Sequence, residues 1–570
     1  MSAPTSPPPE STEVDSKTVI GIAFGNTTSS IAYTTPDGKA EVIANEEGDR
    51  QIPSVLSYVG SEEYHGTQAK SHLVRNANNT VAYFRDFLGK SFADIDPTNS
   101  HNSAHPADID GTPSFNLQQS DDETTTAVSV SEVARRHLVR LKDSASDFLG
   151  SKVTGCVITV PTDFSEAQRE ALIAAAKAAE LEVLQIIHEP VAACLAYDAR
   201  NNEVPTDKTI LVVDLGGTRC DAAVVSSRGG MYTIIATAHD YELGGLQLDN
   251  VLVDHFSKEF LKKHKIDPRE TPRSLARMKL EAEGTKRTLS LGTSATISIE
   301  SLAGGYDFHS TVNRLRYELL SKKVFDQIVK LAENVVAKAD LDLLDIDEVI
   351  LSGGTSHTPK IASRLAQIFP ESTPINAPAT SATALNPSEL SARGAAIQAS
   401  LVAEFDHEDI EQSTHPAVTV APHLAKSIGV CIDGAEQAFQ TLLEAQTAVP
   451  ARRTAQFIAP NGGDVVVRIC EGVREIVVTK PEKKPSNGVK DEDEEDDSEE
   501  EEEEEEEDIK NRVFKVDRVI AEAGIKDVKK GAKIEVTVNV ADDLSLNLAA
   551  RVVGGQQTVR GSVEGPAKAE

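Results

Sequence analysis

Two segments of this chain share one plan. IGIAFGNTTSSIAY (20–33) and LVVDLGGTRCDAAVV (211–225) each run from an apolar strand, through a turn of small residues, into a second apolar strand. Self-similarity of this kind predicts two similar lobes facing each other. Strands also alternate with helices: CVITVP with SEAQREALIAAAKAAE, then LQIIHEP with VAACLAYDAR. That alternation argues for an α/β layered fold. Ser165-x-x-Gln168 is a capping signature for the first of these helices. Ser131 is the expected cap of the helix in SVSEVARRHLVRLKDSASDFLG, and Thr358 with Pro359 opens another after VILSGG.

The polar stretch from about 93 to 127, with DPTNSHNSAHP and QQSDDETTT, reads as irregular, and 62–90 reads as helical with loops. After about residue 400 the style changes. Residues 403–416 form an acidic linker, and 417–561 are rich in Val, Ile and Thr at short spacing, as in a small all-β domain. Within it, 17 of the 18 residues in 491–508 are acidic. Such a block repels itself and is expected as a solvated loop, 484–508. Residues 1–17 and 562–570 read as polar tails.

The net charge of −33 opposes binding to nucleic acid or to anionic lipid. The five cysteines, 156, 194, 220, 431 and 470, form no CxxC pair and suit a reducing cytosol. No run of about 18 apolar residues marks a membrane span.

Turns between paired strands can aim backbone N–H groups at a phosphate, and glycine lets the ligand approach closely. Three candidates stand at strand ends: Gly25-Asn26-Thr27-Thr28, Gly216-Gly217-Thr218-Arg219 and Gly353-Gly354-Thr355-Ser356. Asp214 and Asp221 flank the second. In RSLARMKLEAEGTKRTLS (273–290), Glu283, Lys286, Arg287 and Ser290 fall on one helical face. That face is either a salt-bridged surface or a grip for a base and ribose.

The motifs IGIAFGNTTSSIA, NTVAYFRDFLGK, TGCVITVPTDFSEAQREA, LQIIHEPVAACLAY, LVVDLGGTRCDAAVV, HDYELGGLQLDN, EGTKRTLS, SGGTSHTPK and NPSELSARGAAIQA occur in this order over about 18–400. Together they resemble the heat shock protein 70 family of chaperones. The resemblance implies an α/β actin-like, two-lobed ATPase fold over 18–402 that holds ATP between the lobes. More loosely, it implies that 417–561 is a truncated form of the peptide-binding β-sandwich. Matching positions would be nucleotide contacts: Gly25, Asn26, Thr27 and Thr28; Asp214, Gly216, Gly217, Thr218, Arg219 and Asp221; Gly244 and Gly245; and Gly353, Gly354, Ser356 and His357. Glu283, Lys286, Arg287 and Ser290 match the adenosine grip. Glu189 matches a hinge carboxylate that positions magnesium and water.

Departures from the family pattern gather at the phosphates. Ala23 stands where the family has an aspartate, Arg85 where it has its catalytic lysine, and Arg219 where it has a phosphate-contacting threonine. Ser388 replaces an aspartate near the adenosine. Phosphoryl transfer depends on metal placement, an aligned water and charge stabilisation, so these changes predict ATP binding with little or no hydrolysis and weak or absent magnesium. Arg219 is expected to act as a phosphate clamp in place of the cation. The linker reads His407-Glu408-Asp409-Ile410-Glu411-Gln412, too acidic to dock on an apolar groove. The resemblance would place a helical lid after the β region, but only a short tail follows Ser562 here, so no lid is expected.

These features resemble one branch, the chaperone subunit of the fungal ribosome-associated complex. The resemblance implies a cytoplasmic, stable heterodimer with a zuotin-like J-domain protein. That pair would reach the ribosome through its partner, without direct nucleic-acid or membrane contact, and assist a conventional heat shock protein 70 on nascent chains. An active folding ATPase and a sugar-kinase-like enzyme on the same core are the alternatives.

Overall fold

The computed structural model describes residues 18–95, 102–119, 124–199, 206–403, 405, 422–432, 439–479, 509–555 and 558–565. The expected tail 1–17, the linker apart from residues 403 and 405, the acidic loop 484–508, and residues 566–570 of the expected tail 562–570 lie outside them; that tail instead begins within the strand Thr558–Val563. The chain divides into two compact units, one carrying the lobes and one the C-terminal strands.

The first lobe is built on β1 (Val19–Phe24), β2 (Thr28–Thr34), β3 (Ala40–Ile43), β4 (Gly155–Val160) and β5 (Glu182–His188), in the order β5-β4-β1-β2-β3. The second uses β6 (Lys208–Leu215), β7 (Cys220–Arg228), β8 (Met231–Asp240), β9 (Glu348–Ser352) and β10 (Ile375–Asn376), in the order β10-β9-β6-β7-β8. The two orders are the same plan. In each, an antiparallel hairpin is flanked on one side by two parallel strands. The repeat seen in the sequence is therefore a repeat of topology.

Helices cover the strands as the alternation requires. α1 (Val130–Leu149) and α2 (Glu166–Ala178) lie in the first lobe, α3 (Glu189–Asp198) follows β5, α4 (Gly245–His264) and α5 (Pro272–Leu291) lie in the second, and α6 (Leu390–Val402) packs back on β1. Phe24, Phe84, Phe115 and Leu138 share the first core; Phe256, Phe260, Phe308 and Phe325 share the second. Each such side chain contributes about 1.5–3 kcal/mol through burial.

Ser165 and Gln168 form the full capping box expected at α2. The cap of α1 is Ser129, not Ser131: its side chain accepts from the Glu132 amide at 3.2 Å. The helix begins one residue after that cap, so that buried Val130 and Val133 face the core. The described residues of 93–127 are also not wholly irregular. They contain strands Ala107–Ile109, Thr112–Gln118 and Thr125–Ser129, which form an antiparallel sheet. Period-two burial of Phe115 and Leu117 drives it, beneath a polar exterior that hid the signal. Residues 62–90 hold one short helix, Gly66–Ser71, and two strands, Glu62–His65 and Thr80–Ala82, beside 3-10 turns.

The C-terminal unit contains two four-stranded antiparallel sheets. One runs Gln440–Leu443, Ser427–Ile432, Gly463–Thr479, Ile509–Val528; the other runs Ala451–Ile458, Lys533–Val540, Leu546–Val552, Thr558–Val563. Val467, Ile469 and Ile525 of the first share a core with Ile534, Val536 and Leu548 of the second. Among the described residues no helix follows Val402.

Candidate functional site

The cleft between the lobes encloses about 480 Å³. Its floor is made by the two hairpin turns. Asn26 Nδ2 donates to Thr218 Oγ1 across the lobes at 3.1 Å. A Cβ on Gly217 would come within 2.5 Å of the Thr27 methyl, so glycine is required for the two turns to meet. The Gly216 amide closes its own turn on the Arg219 carbonyl at 3.0 Å. The start of α4 is tied to this turn, with the Gly245 amide on Gly216 O and the Leu246 amide on Gly217 O.

Gly353 has φ +82, in the left-handed region that glycine adopts without strain. A Cβ there would also meet Leu215 O at 2.4 Å. The Thr355 hydroxyl donates to Gly216 O, joining this third turn to the second.

Gly25, Asn26, Thr27, Thr28, Arg85, Glu189, Asp214, Gly216, Gly217, Thr218, Arg219, Asp221, Gly245, Glu283, Lys286, Arg287, Ser290, Gly353, Gly354 and His357 all line the cavity, as do Ala23 and Ser388. Two expected contacts do not. Gly244 sits behind the turn, where its absent Cβ leaves room for Gly217 O. Ser356 is buried and donates to Ser352 O, so its hydroxyl is spent within the fold.

The α5 face is a hydrogen-bonded wall. Glu283 pairs with Arg287 and, across the lobes, with Lys70, each at 2.6 Å. Lys286 pairs with Asp249 at 2.8 Å and donates to Gly245 O at 3.0 Å. Arg287 remains 67% exposed, open to stack on a planar ligand. His357 Nε2 lies 3.1 Å from both Asn386 Oδ1 and Ser388 Oγ. Burial lowers its pKa.

Charge concentrates at the other end. The Arg85 guanidinium is bound by Asp86 at 2.9 and 2.6 Å, by the Phe24 carbonyl at 3.2 Å and by Glu189 at 3.3 Å. Burial works against its charge, but Asp86 and then Glu189 hold its pKa above the ordinary value. Arg219 donates from Nε to Asp221 at 2.7 Å, and from Nη2 to Asp163 at 2.7 Å and again to Asp221. It also lies over the Tyr241 ring, 4.7 Å from the centroid. Its Nη1 has no protein acceptor among these contacts, on a side chain that lines the cavity. Glu189 is raised to about 8, first by burial and then by Asp214 and Asp221, against the pull of Arg85. Burial raises Asp214 to about 6, while Ser352 donates to it at 2.8 Å.

Several lining residues carried no usable sequence signal. Lys70, Gln51 and Tyr83 come from the flanking segments of the first lobe. Tyr83 takes φ +58, unusual for a side chain of its size. Asp249 was the most findable, one helical turn beyond Gly245 on the same face of α4.

A sequence profile described as "Hsp70 protein" matches residues 19–483. A heat shock protein 70 homolog of Schizosaccharomyces pombe is 46% identical over 552 residues, 96% of each chain. "Ribosome-associated complex subunit SSZ1" of Saccharomyces cerevisiae is 42% identical over 550 residues, 96% of this chain and 100% of that one. A "ribosome-associated molecular chaperone" of the same yeast is 34% identical over 460 residues, 80% of this chain and 72% of that one. With two repeated lobes, three glycine turns on one cleft and a C-terminal β unit, the chain belongs to the heat shock protein 70 family.

Proposed function

We propose that the chain binds ATP in this cleft, with α5 gripping the adenosine and the glycine turns cradling the phosphates, and hydrolyses it little or not at all. The observation that carries this reading is the state of the two arginines. Arg85 spends its Nε and both Nη groups on protein acceptors. One Nη2 hydrogen remains, and a planar guanidinium tethered this way cannot place an attacking water as a mobile ammonium can. Burial raises the Glu189 carboxyl and so disfavours the ionised form that would hold a metal and its water. Ala23 supplies no carboxylate for a metal. Arg219, anchored by Asp221 and Asp163, offers Nη1 as fixed positive charge for phosphate oxygens, so magnesium matters little to binding.

The assembly role follows the relatives. Near full-length identity to a ribosome-associated complex subunit supports a chaperone-like subunit paired stably with a zuotin-like J-domain protein. The pair would act with a conventional family member on nascent chains in the cytoplasm. An acidic chain of net charge −33 would leave ribosomal RNA to a basic partner.

Three measurements test this. In single-turnover assays with a J-domain protein, the expected result is bound ATP without ADP formation; J-stimulated hydrolysis would favour an active folding ATPase instead. ATP affinity should change less than about threefold on adding EDTA, and a collapse of binding would remove Arg219 as the phosphate cation. Purification from cells should co-elute a J-domain protein, and recovery of the chain alone would count against the complex.

A further inference from the structure

Asp163 follows β4 in the first lobe, whereas Arg219 and Tyr241 belong to the second, in the β6–β7 turn and just after β8. One Asp163 oxygen accepts from Arg219 Nη2 at 2.7 Å, and the other accepts from the Tyr241 hydroxyl. Both carboxylate oxygens are thus spent across the lobe boundary. Arg219 is itself braced by Asp221, which is bound at 2.6 Å by His239 Nδ1. His239 Nδ1 also stands 3.4 Å from Arg219 Nη2. Asp163, Asp221 and His239 together have the spacing of a cation site, and the guanidinium is the cation that fills it.

Two further bridges between the lobes, Asn26–Thr218 and Lys70–Glu283, are made by residues that line the cavity. Asp163, His239 and Tyr241 do not line it. A ligand filling the cavity could displace those two bridges; at this one it would meet Arg219, but neither Asp163 nor Tyr241. Burial opposes the Asp163 charge, but Arg219 and the Tyr241 hydroxyl outweigh it and hold the carboxyl at about 2. The bridge is therefore charged throughout the neutral range.

We propose that Asp163, Arg219 and Tyr241 form a permanent clasp that holds the two lobes together at the phosphate end whether or not the cleft is filled. Asp163 is a positioning residue in it: it aims Arg219 and closes the cleft floor without contacting the ligand. With the floor already closed, ligand binding has little closure left to drive, and the unit sits in one state. The clasp does not depend on which ligand the cleft takes.

The test uses the full chain, ligand-free, with Asp163→Asn, Tyr241→Phe and the double variant, read by amide hydrogen exchange. Each single variant is expected to lower protection at least tenfold at 162–164 and at 239–243 together, because each cuts one link between them. The double variant is expected to fall short of the product of the singles, since both remove the same bridge. Asp163→Glu, which keeps the charge, should recover part of the protection. Loss confined to the mutated segment, or full additivity, would overturn the clasp.

A second arm follows release of a fluorescent ATP analogue, expected about tenfold faster from Asp163→Asn. If the unmodified chain binds no analogue, the nucleotide reading fails and the exchange result still decides the clasp. If it binds and release is unchanged while exchange is also unchanged, the clasp fails.

Discussion

Replacing Gly394 with alanine is expected to destabilise the lobed unit by about 3 kcal/mol or more, beyond the usual range for overpacking. Gly394 lies in α6, and a Cβ there would stand 1.9 Å from the Ala192 carbonyl oxygen of α3. That neighbour is backbone, with no side chain to swing aside. The same helix also crosses β1 at Gly21, where a Cβ would meet the Ala396 amide nitrogen at 2.1 Å. The contact is thus fixed on both sides, and α6 can move off α3 only by losing its seat on β1. Urea unfolding followed by circular dichroism measures the effect. Gly284 of α5 is the control: nothing lies within 4 Å of its Cβ position, so Gly284→Ala should stabilise by roughly 0.5–1 kcal/mol. Equal midpoints for Gly394→Ala and the unmodified chain would contradict the packing argument.

Replacing Glu189 with glutamine is expected to stabilise the ligand-free protein at alkaline pH. The Glu189 carboxyl is raised to about 8 in the fold by burial, with Asp214 and Asp221 adding to it, against about 4.3 in an unfolded chain. The folded state holds this proton more tightly than the unfolded state. Its contribution to stability is therefore complete below about pH 4.3 and lost as pH rises through about 8. The unmodified chain should lose about 3 kcal/mol between pH 5.5 and 8.5 from this group. Glutamine carries no titrating proton and should remove that slope. Asp214, raised to about 6, leaves a smaller fall of the same sign at lower pH. Urea midpoints at the two pH values, for both proteins, decide the matter. Parallel pH dependence would show that Glu189 is not the strained carboxyl.

Much of the cleft was legible because its chemistry is local. A phosphate turn needs glycine between two strands, and three such turns stand out in the sequence. The α5 face was legible because 3.6-residue periodicity puts Glu283, Lys286, Arg287 and Ser290 in one row. Ser356 shows the limit of that reading. It sits in the same turn as Gly354 and His357, but its hydroxyl faces Ser352 O, an orientation set by the close 3-10 turn. The sheet formed by strands within 107–129 was missed because its polar outer face outweighs its buried apolar residues, Phe115, Leu117 and Val128, in any local average.

The roles of the substituted residues were harder to read. Arg219 was expected to clamp phosphate, and the fold sets its guanidinium between two carboxylates, Asp221 and Asp163. Asp163 and Tyr241 come from segments remote in the chain, so their meeting with Arg219 leaves no periodic mark.

The sequence by itself determined the family, the two lobes, the β unit and the glycine turns that line one cleft, because strand alternation, helix periodicity and glycine's conformational freedom act over a few residues. Only the tertiary structure decided what the arginines do. A guanidinium is defined by whichever carboxylates lie within about 3 Å; Asp86 and Asp221 are chain neighbours of Arg85 and Arg219, but Glu189 and Asp163 reach them only through the fold.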